Sequence, residues 1–390
     1  MLCGFGWSAG DPGHPAELVA DFLGANGLPV RDLGRTATQV HPIGAGSLCG
    51  AALYVSAAAG SVMAGGPPGP PNPVPGIPDV VAVVYVHTDA AAVSISDAES
   101  RNPVRPGPRT GREGISRERD SWRLGEWREG WTRNEHAHAV EEVLAAIGRG
   151  DVYQVGLVGH ASAPYAGDPG PALARVANLP GARYGGVLAG DGWALATASP
   201  ETLIEVRAGR LITRPIKGTR PATAEGRREL LSSAKERAEH VMIVDLERND
   251  LARLPGAGPV RVDELFAVRR WVGLWQAESV VSAPIEGGVG LAELLTAVCP
   301  GGSVTGAPKR AALAEIARLE PVGRGVSMGA LGWIGPEGLD LGLSIRTVAV
   351  DGERAHVWAG GGITWGSDPM AEVDEAAAKS APVRAALAGR

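Results

Sequence analysis

The chain has 390 residues, 44% of them hydrophobic, and a formal net charge of −6, so it can bury a large core and is long enough for two domains or one large one. That negative balance, with basic residues scattered along the chain, argues against a dedicated nucleic-acid binder. The cysteines Cys3, Cys49 and Cys299 are too few and too far apart for a disulfide framework or a paired-cysteine metal site. No apolar run reaches bilayer length and no basic segment precedes one at the N-terminus, so a cytoplasmic protein is expected, neither secreted nor inserted in a membrane.

From the N-terminus to Arg133 the sequence is irregular. The tract GGPPGPPNPVPGIP from Gly65 to Pro78 cannot form helix or central strand and reads as a surface loop or stiff linker. The β-branched run DVVAVVYVH that follows, Asp79 to His87, predicts a buried strand. Between Arg101 and Arg133 the charges alternate in sign, as in a solvated connector. Residues 1–133 are therefore expected to form a β-rich region packed on the core, without a chemical constellation of their own.

Residues 134–390 are expected to form the catalytic domain. Asn134 is predicted to cap a helix whose apolar positions Val140, Val143, Leu144 and Ile147 share a face, with Gly148 and Gly150 ending it. Strand-like runs follow at VYQVGLVG, YGGVLAG, TLIEV and RLITRPI, then a helix from about Arg227 to Asp245. Strands that cluster before helices favour an α+β domain over a doubly wound parallel sheet.

Chemistry-bearing residues concentrate in this second part. In the string PIKGT, Lys217 stands alone in an apolar, glycine-containing segment; desolvation there lowers an amine's pKa and makes it a candidate nucleophile. In KERAEH, Glu236 and Glu239 share a helix face with His240 beside them. On the last helix Asp368 is the expected N-cap, and Glu372, Glu375 and Lys379 recur along one face. Carboxylates from two separate helices suit a hard cation such as Mg²⁺. The run Gly360, Gly361 and Gly362 leaves bare backbone N–H groups for a carboxylate or phosphate. CPGGSVTGAPK lacks the G-K-[ST] of a phosphate loop, which excludes a nucleotide triphosphatase of that type, but Ser303 and Thr305 have hydroxyls to offer an anionic ligand, with Lys309 nearby or merely exposed.

Taken in order, PIKGTRP, KERAEHVMIVDLERNDLARL, ELFAV, PGGSVTGAPK, LSIRT and AGGGI with its downstream ExxExxxK resemble the chorismate-using enzymes, a family that includes anthranilate, aminodeoxychorismate, isochorismate and salicylate synthases. The resemblance covers roughly Asn134 to Ala386 and implies antiparallel β-sheets packed in a sandwich-like core with flanking helices. It implies Mg²⁺ held by Glu239 and Glu375, with Glu236 and Glu372 in support. It further implies that Arg346 holds a substrate carboxylate, that Gly361 and Gly362 supply backbone N–H groups, and that Lys379, Thr219, Gln154 and Thr305 line the substrate. Glu201 in ASPETLI matches the general acid that protonates the departing C4 hydroxyl.

Two positions discriminate among the family's reactions. Water-adding members carry a lysine base where this chain has Gln154, so ammonia is the expected nucleophile. Lys217, where anthranilate synthases typically have alanine, resembles the aminodeoxychorismate synthases. The implied product is 4-amino-4-deoxychorismate, a precursor of p-aminobenzoate and so of folate or a specialised metabolite. No cysteine nucleophile elbow is visible, so a separate glutaminase subunit or free ammonia is expected to supply nitrogen. Departures occur at Gln276 for a usual histidine, Ser327 for a tyrosine, Gly156 for an asparagine and Val158 for a serine. They leave open a diverged enzyme with another product, of anthranilate or aminodeoxyisochorismate type, or a non-catalytic partner that binds a ring dicarboxylate.

Overall fold

The computed structural model describes residues 2–34, 46–87, 122–271 and 274–389. The N-terminal stretch contributes β1 (Cys3–Trp7), α1 (Pro15–Ala25), β2 (Leu48–Val55), α2 (Ala57–Met63) and β3 (Val80–Val86). Short strands β4 (Arg123–Leu124) and β5 (Arg128–Glu129) lead into α3 (Arg133–Arg149), β6 (Gln154–Ala166), α4 (Gly170–Ala177), β7 (Tyr184–Gly190) and β8 (Trp193–Ser199). Next come β9 (Thr202–Arg207), β10 (Arg210–Arg214), β11 (Ile216–Pro221), α5 (Ala224–Ser232), α6 (Ala234–Ala252), β12 (Arg261–Trp271) and β13 (Leu274–Pro284). They are followed by α7 (Leu291–Val298), a 3-10 turn at Gly302–Val304, β14 (Gly306–Ala307), α8 (Lys309–Leu319) and β15 (Ala330–Gly335). Last are β16 (Gly338–Leu343), β17 (Thr347–Val350), β18 (Arg354–Ile363) and α9 (Pro369–Ala388).

The strands form two antiparallel sheets, so the fold is α+β. One runs β1-β3-β2-β15-β16-β9-β10-β13-β11, with β12 also paired to β13; the other runs β14-β6-β18-β17-β8-β7, with β4 and β5 on β6. The run at β3 shows why an unbroken apolar string becomes a strand here. Val80, Ala82 and Val84 point into a core shared with α1 and α7, while Val81 and Val83 point the other way, into a layer with Val158, Leu195, Ala349 and Trp358 of the second sheet. Both faces are dry, so the alternation of a half-exposed strand has no reason to appear. That second layer joins the sheets face to face, and α4 and α9 cover the outer face of the smaller one.

Three local expectations need correction. Thr132, rather than Asn134, caps α3: it accepts from Glu135 N at 3.2 Å, and Glu135 reaches back to Thr132 N at 2.6 Å. The helix runs through Gly148 and ends at Gly150, whose φ of +81° is left-handed. The helix expected from Arg227 to Asp245 is two, because Ser233 adopts extended angles and caps α6 by accepting from Glu236 N at 3.2 Å. Of the stretch read as a solvated connector, residues 101–121 lie outside the described residues. Its remainder is tied down: Trp122 Nε1 donates to Leu387 O at 2.7 Å and Trp131 stacks on His136.

Candidate active site

The bulge in β11 sets the direction of Lys217. The pairing of β11 with β13 breaks register between Lys217 and Thr219, around Gly218 with a φ of +71°. A Cβ on Gly218 would stand 2.7 Å from Leu230 Cδ1 and 3.0 Å from Glu236 Oε2, so only glycine fits this turn of the strand. Lys217 is partly buried, and its Nζ donates to Ser303 O at 3.3 Å. Burial lowers its pKa and the nearby Lys379 lowers it further, against the opposing fields of Glu201, Glu239 and Glu375.

Glu201 lies just before β9, 7% exposed, and accepts from Ser303 Oγ at 2.8 Å. Burial raises its pKa to about 7, while Lys217, Ser303, the Ile216 backbone and Lys379 hold it from rising further. A carboxyl that titrates there keeps its proton for part of the time at neutral pH, as a general acid must.

Helices α6 and α9 carry the acidic set. Glu236 accepts from Arg220 Nη1 at 3.1 Å; Glu239 lies 3.8 Å from Lys235 Nζ and 3.4 Å from Thr364 Oγ1. Glu372 accepts from Ser367 Oγ at 2.7 Å, and Glu375 pairs with Lys379 Nζ at 2.6 Å. Burial raises the pKa of Glu239; Lys235 and Lys217 pull it down, and Glu236 and Glu372 push it up again. Glu372 is raised by burial and, beyond the pull of Ser367, by Glu375. Burial alone would raise Glu375 too, but Lys379 outweighs it and the net direction is down.

Carboxylates that raise one another's proton affinity, as Glu236 and Glu372 raise that of the partly buried Glu239, are what a divalent cation relieves. Among the described residues no three His, Cys, Asp or Glu side chains converge as a complete cage. Mg²⁺ takes one or two protein carboxylates and completes its shell with water and an anionic substrate. The donor set therefore fits the ion.

Opposite these groups, β18 presents its glycines. A Cβ on Gly361 would meet Glu372 Oε2 at 2.7 Å and Lys379 Nζ at 3.9 Å; one on Gly362 would meet Gln154 Nε2 at 2.8 Å and Lys217 Nζ at 3.5 Å. The missing side chains thus leave a cradle bounded by the amine, the amide and the acidic helix. Gln154 is 1% exposed and its Nε2 has no partner among the described residues, a buried donor available to a ligand. Lys379 Nζ donates to Gly360 O at 3.0 Å. Arg346 has a φ of +51°; burial lowers its pKa and the field of Glu201 opposes that.

Lys217, Glu201, Glu239, Glu372, Glu375, Lys379, Gln154, Gly361, Gly362 and Arg346 are thereby linked through close contacts or mutual fields, and Glu236 adjoins them through Gly218. Other expected site residues stand differently. Thr219 is exposed on the edge strand β11, and its carbonyl accepts from Arg220 Nη1 at 2.8 Å. Thr305 is buried and its hydroxyl donates to Gly301 O at 2.8 Å, bracing the loop. Lys309 is neither exposed nor at the cradle: it pairs with Asp250 at 2.7 Å and donates to Ala297 O at 3.1 Å. Ser327 donates to Ser344 O at 3.3 Å.

Two side chains gain a meaning that their motifs did not show. Ser303, read as a ligand donor, is bonded to Glu201 instead. Glu247 is buried beneath the site, its Oε1 3.5 Å from where a Cβ on Gly302 would lie. Burial raises its pKa to about 8, with Asp250 adding to the rise and Lys309 opposing it. The signal for Glu247 was available: it sits on the helical stripe of His240, Ile243, Val244 and Leu251, an acid on an otherwise core-facing row.

Residues 81–385 match the model of the chorismate binding enzyme family. Over 256 residues the chain is 37% identical to aminodeoxychorismate synthase component 1 of Klebsiella aerogenes, covering 64% of this chain and 57% of that protein. Over 264 residues it is 39% identical to anthranilate synthase component 1 of Streptomyces coelicolor, covering 65% and 52%. The match thus spans little more than half the length of these relatives. Anthranilate synthase component I from Streptococcus pneumoniae superposes with a TM-score of 0.75 at 25% identity, over 98% of this chain and 90% of that one. A putative 2,3-dihydroxybenzoate-specific isochorismate synthase from Bacillus anthracis shares the fold, with a TM-score of 0.63 at 22% identity over 87% and 92%. With most of its length matched by that family model and its two-sheet fold shared with solved members, the chain belongs to the chorismate-binding enzymes.

Proposed function

We propose that this protein is an aminodeoxychorismate synthase of the component 1 type, converting chorismate and ammonia to 4-amino-4-deoxychorismate and water. The observation that carries this reading is Lys217: a partly buried amine with lowered pKa, one hydrogen bond away from the residue that also binds Glu201. A neutral amine there attacks C2 of the ring as Glu201 protonates the C4 hydroxyl, which leaves as water. Ammonia then attacks C4 and expels Lys217 with the return of the ring double bonds, and the ammonium so formed gives a proton back to Glu201. Arg346, Lys379 and the N–H groups of Gly361 and Gly362 hold the substrate's carboxylates, and Gln154, an amide that cannot deprotonate water, leaves hydration without a base. Glu239 and Glu375, with Glu236 and Glu372 in support, would hold Mg²⁺, which would supply positive charge to neutralise the ring carboxylate. Ammonia is proposed to come from a separate glutaminase subunit, with the product entering p-aminobenzoate synthesis for folate or a specialised metabolite.

A second reading, an anthranilate-forming enzyme, is favoured by the 39% identity to the Streptomyces coelicolor protein. Mass analysis of chorismate, Mg²⁺ and ammonium incubated with the protein separates the two. The expected product is an amino compound that keeps the enolpyruvyl ether, and K217A is expected to lower its formation by on the order of 10³-fold or more. Anthranilate with release of pyruvate, or full turnover by K217A, overturns the proposal.

A further inference from the structure

We propose that Ser303 is the positioning residue that keeps acid and nucleophile in register, its hydroxyl donating to Glu201 Oε1 at 2.8 Å while its carbonyl accepts from Lys217 Nζ at 3.3 Å. This rests on the reading of Glu201 and Lys217 given above. Ser303 is the only described residue bonded to both of these side chains in the structure, one through each half of itself.

The turn that carries Ser303 is built to stay still. Val304 N and Thr305 Oγ1 both bond Gly301 O, at 3.3 and 2.8 Å, and Gly156 N bonds Thr305 O at 2.6 Å. Arg324 Nη1 grips Val304 O at 2.8 Å, and that guanidinium is itself locked by the buried Glu320 at 2.6 Å. On the other side Gly302 lies flat on α6, where a Cβ would meet Leu246 Cβ at 3.3 Å. A catalytic pair held from such a turn keeps its separation without relying on two independent rotamers.

The groups that face Glu201 from the surrounding elements are Lys217 of β11, Lys379 of α9, Glu247 of α6 and Arg346 after β16. A hydroxyl that donates to the carboxylate stabilises its ionised form, so loss of Ser303 Oγ shifts Glu201 towards the protonated form. The acid then holds its proton to higher pH but transfers it less readily and from a less defined geometry.

The test follows chorismate consumption with ammonium and Mg²⁺ across pH in S303A, S303T, S303C and E201Q, each checked for folding by circular dichroism. S303A is expected to lower kcat roughly ten-fold, short of the roughly 10²–10⁴ expected of E201Q, with KM within about two-fold. Its alkaline limb is expected to move to higher pH. S303T, which restores the hydroxyl, is expected to return both kcat and the limb towards wild type; S303C, a weak donor, is expected to fall between. Difference infrared titration of the protonated carboxyl band, assigned by its loss in E201Q, reads the same shift without turnover.

An unmoved limb and carboxyl band in S303A, or in S303C should S303A fail to fold, overturns the role of Ser303. Equal impairment in S303T does the same. Wild-type turnover by E201Q instead overturns the acid reading, and the catalytic role of Ser303 falls with it.

Discussion

Lys217 binds a proton less readily than an ordinary lysine because it has lost water and gained Lys379 as a neighbour, while the carboxylates around it restore only part of that loss. A cation held between α6 and α9 would add to the pressure on the amine and remove the mutual repulsion of Glu239, Glu372 and Glu375. If these carboxylates hold Mg²⁺, then E239Q and E375Q weaken its binding by at least the roughly 10–100-fold that loss of a supporting partner costs. Calorimetric titration of Mg²⁺ into the folded variants, with no substrate present, checks this; unchanged affinity in both removes them as ligands. The identity of Lys217 as a residue of interest was legible in PIKGT, since a lone lysine among apolar neighbours is uncommon. Its direction was not, because that depends on the bulge at Gly218 and on what α6 and the 302–304 turn place in front of it.

At the scale of elements, β18 shows how adjacent glycines differ in purpose. A Cβ on Gly360 would lie 1.9 Å from Leu157 O, in the backbone of the partner strand β6. One on Gly362 would first meet the tip of Gln154 and the amine of Lys217. G360A is therefore expected to destabilise the protein by about 1–3 kcal/mol or more, read as a lower denaturant midpoint. G362A is expected to cost about 1 kcal/mol or less yet to raise the KM for chorismate roughly 10–200-fold, the scale of one methyl in a tight pocket. The opposite ranking would remove Gly362 from the cradle. Sequence reasoning treated these glycines as one run of bare N–H groups, since three identical residues carry no register; the pairing of Gly361 with Leu157 supplies it. The break at Ser233 was hidden in a similar way, because serine is tolerated inside a helix and only its bond to Glu236 N marks it as a cap.

Over the whole molecule, the site leaves a signature in stability. Glu247 has a folded pKa raised to about 8, so the folded state keeps a proton that the unfolded chain releases above its ordinary carboxyl value of 4.5. Stability from this group is complete below that value and is lost as pH rises towards 8. E247Q is thus expected to match wild type near pH 5 and to exceed it at pH 8 by roughly one to a few kcal/mol. Thermal melts at the two values check this, and a gain that does not grow with pH would contradict it. His136 and His240, pushed down to about 4 by burial, and His160, to about 3, act at the other end: the unfolded chain binds their protons first, and stability falls as pH drops below about 6.5.

The sequence by itself determined the strands with dry faces, the helices with apolar stripes, and which segments carry the chemistry-bearing residues, because these depend on neighbours a few positions away. Residues from β6, β9, β11, the 302–304 turn, α6, β18 and α9 meet at one place only once two sheets close on each other. That meeting decided that Ser303 serves Glu201, that Thr305 braces its own loop, and that Lys309 pairs inside the core with Asp250. Burial and electric fields belong to the assembled fold, and they act across separations in sequence that no local pattern records.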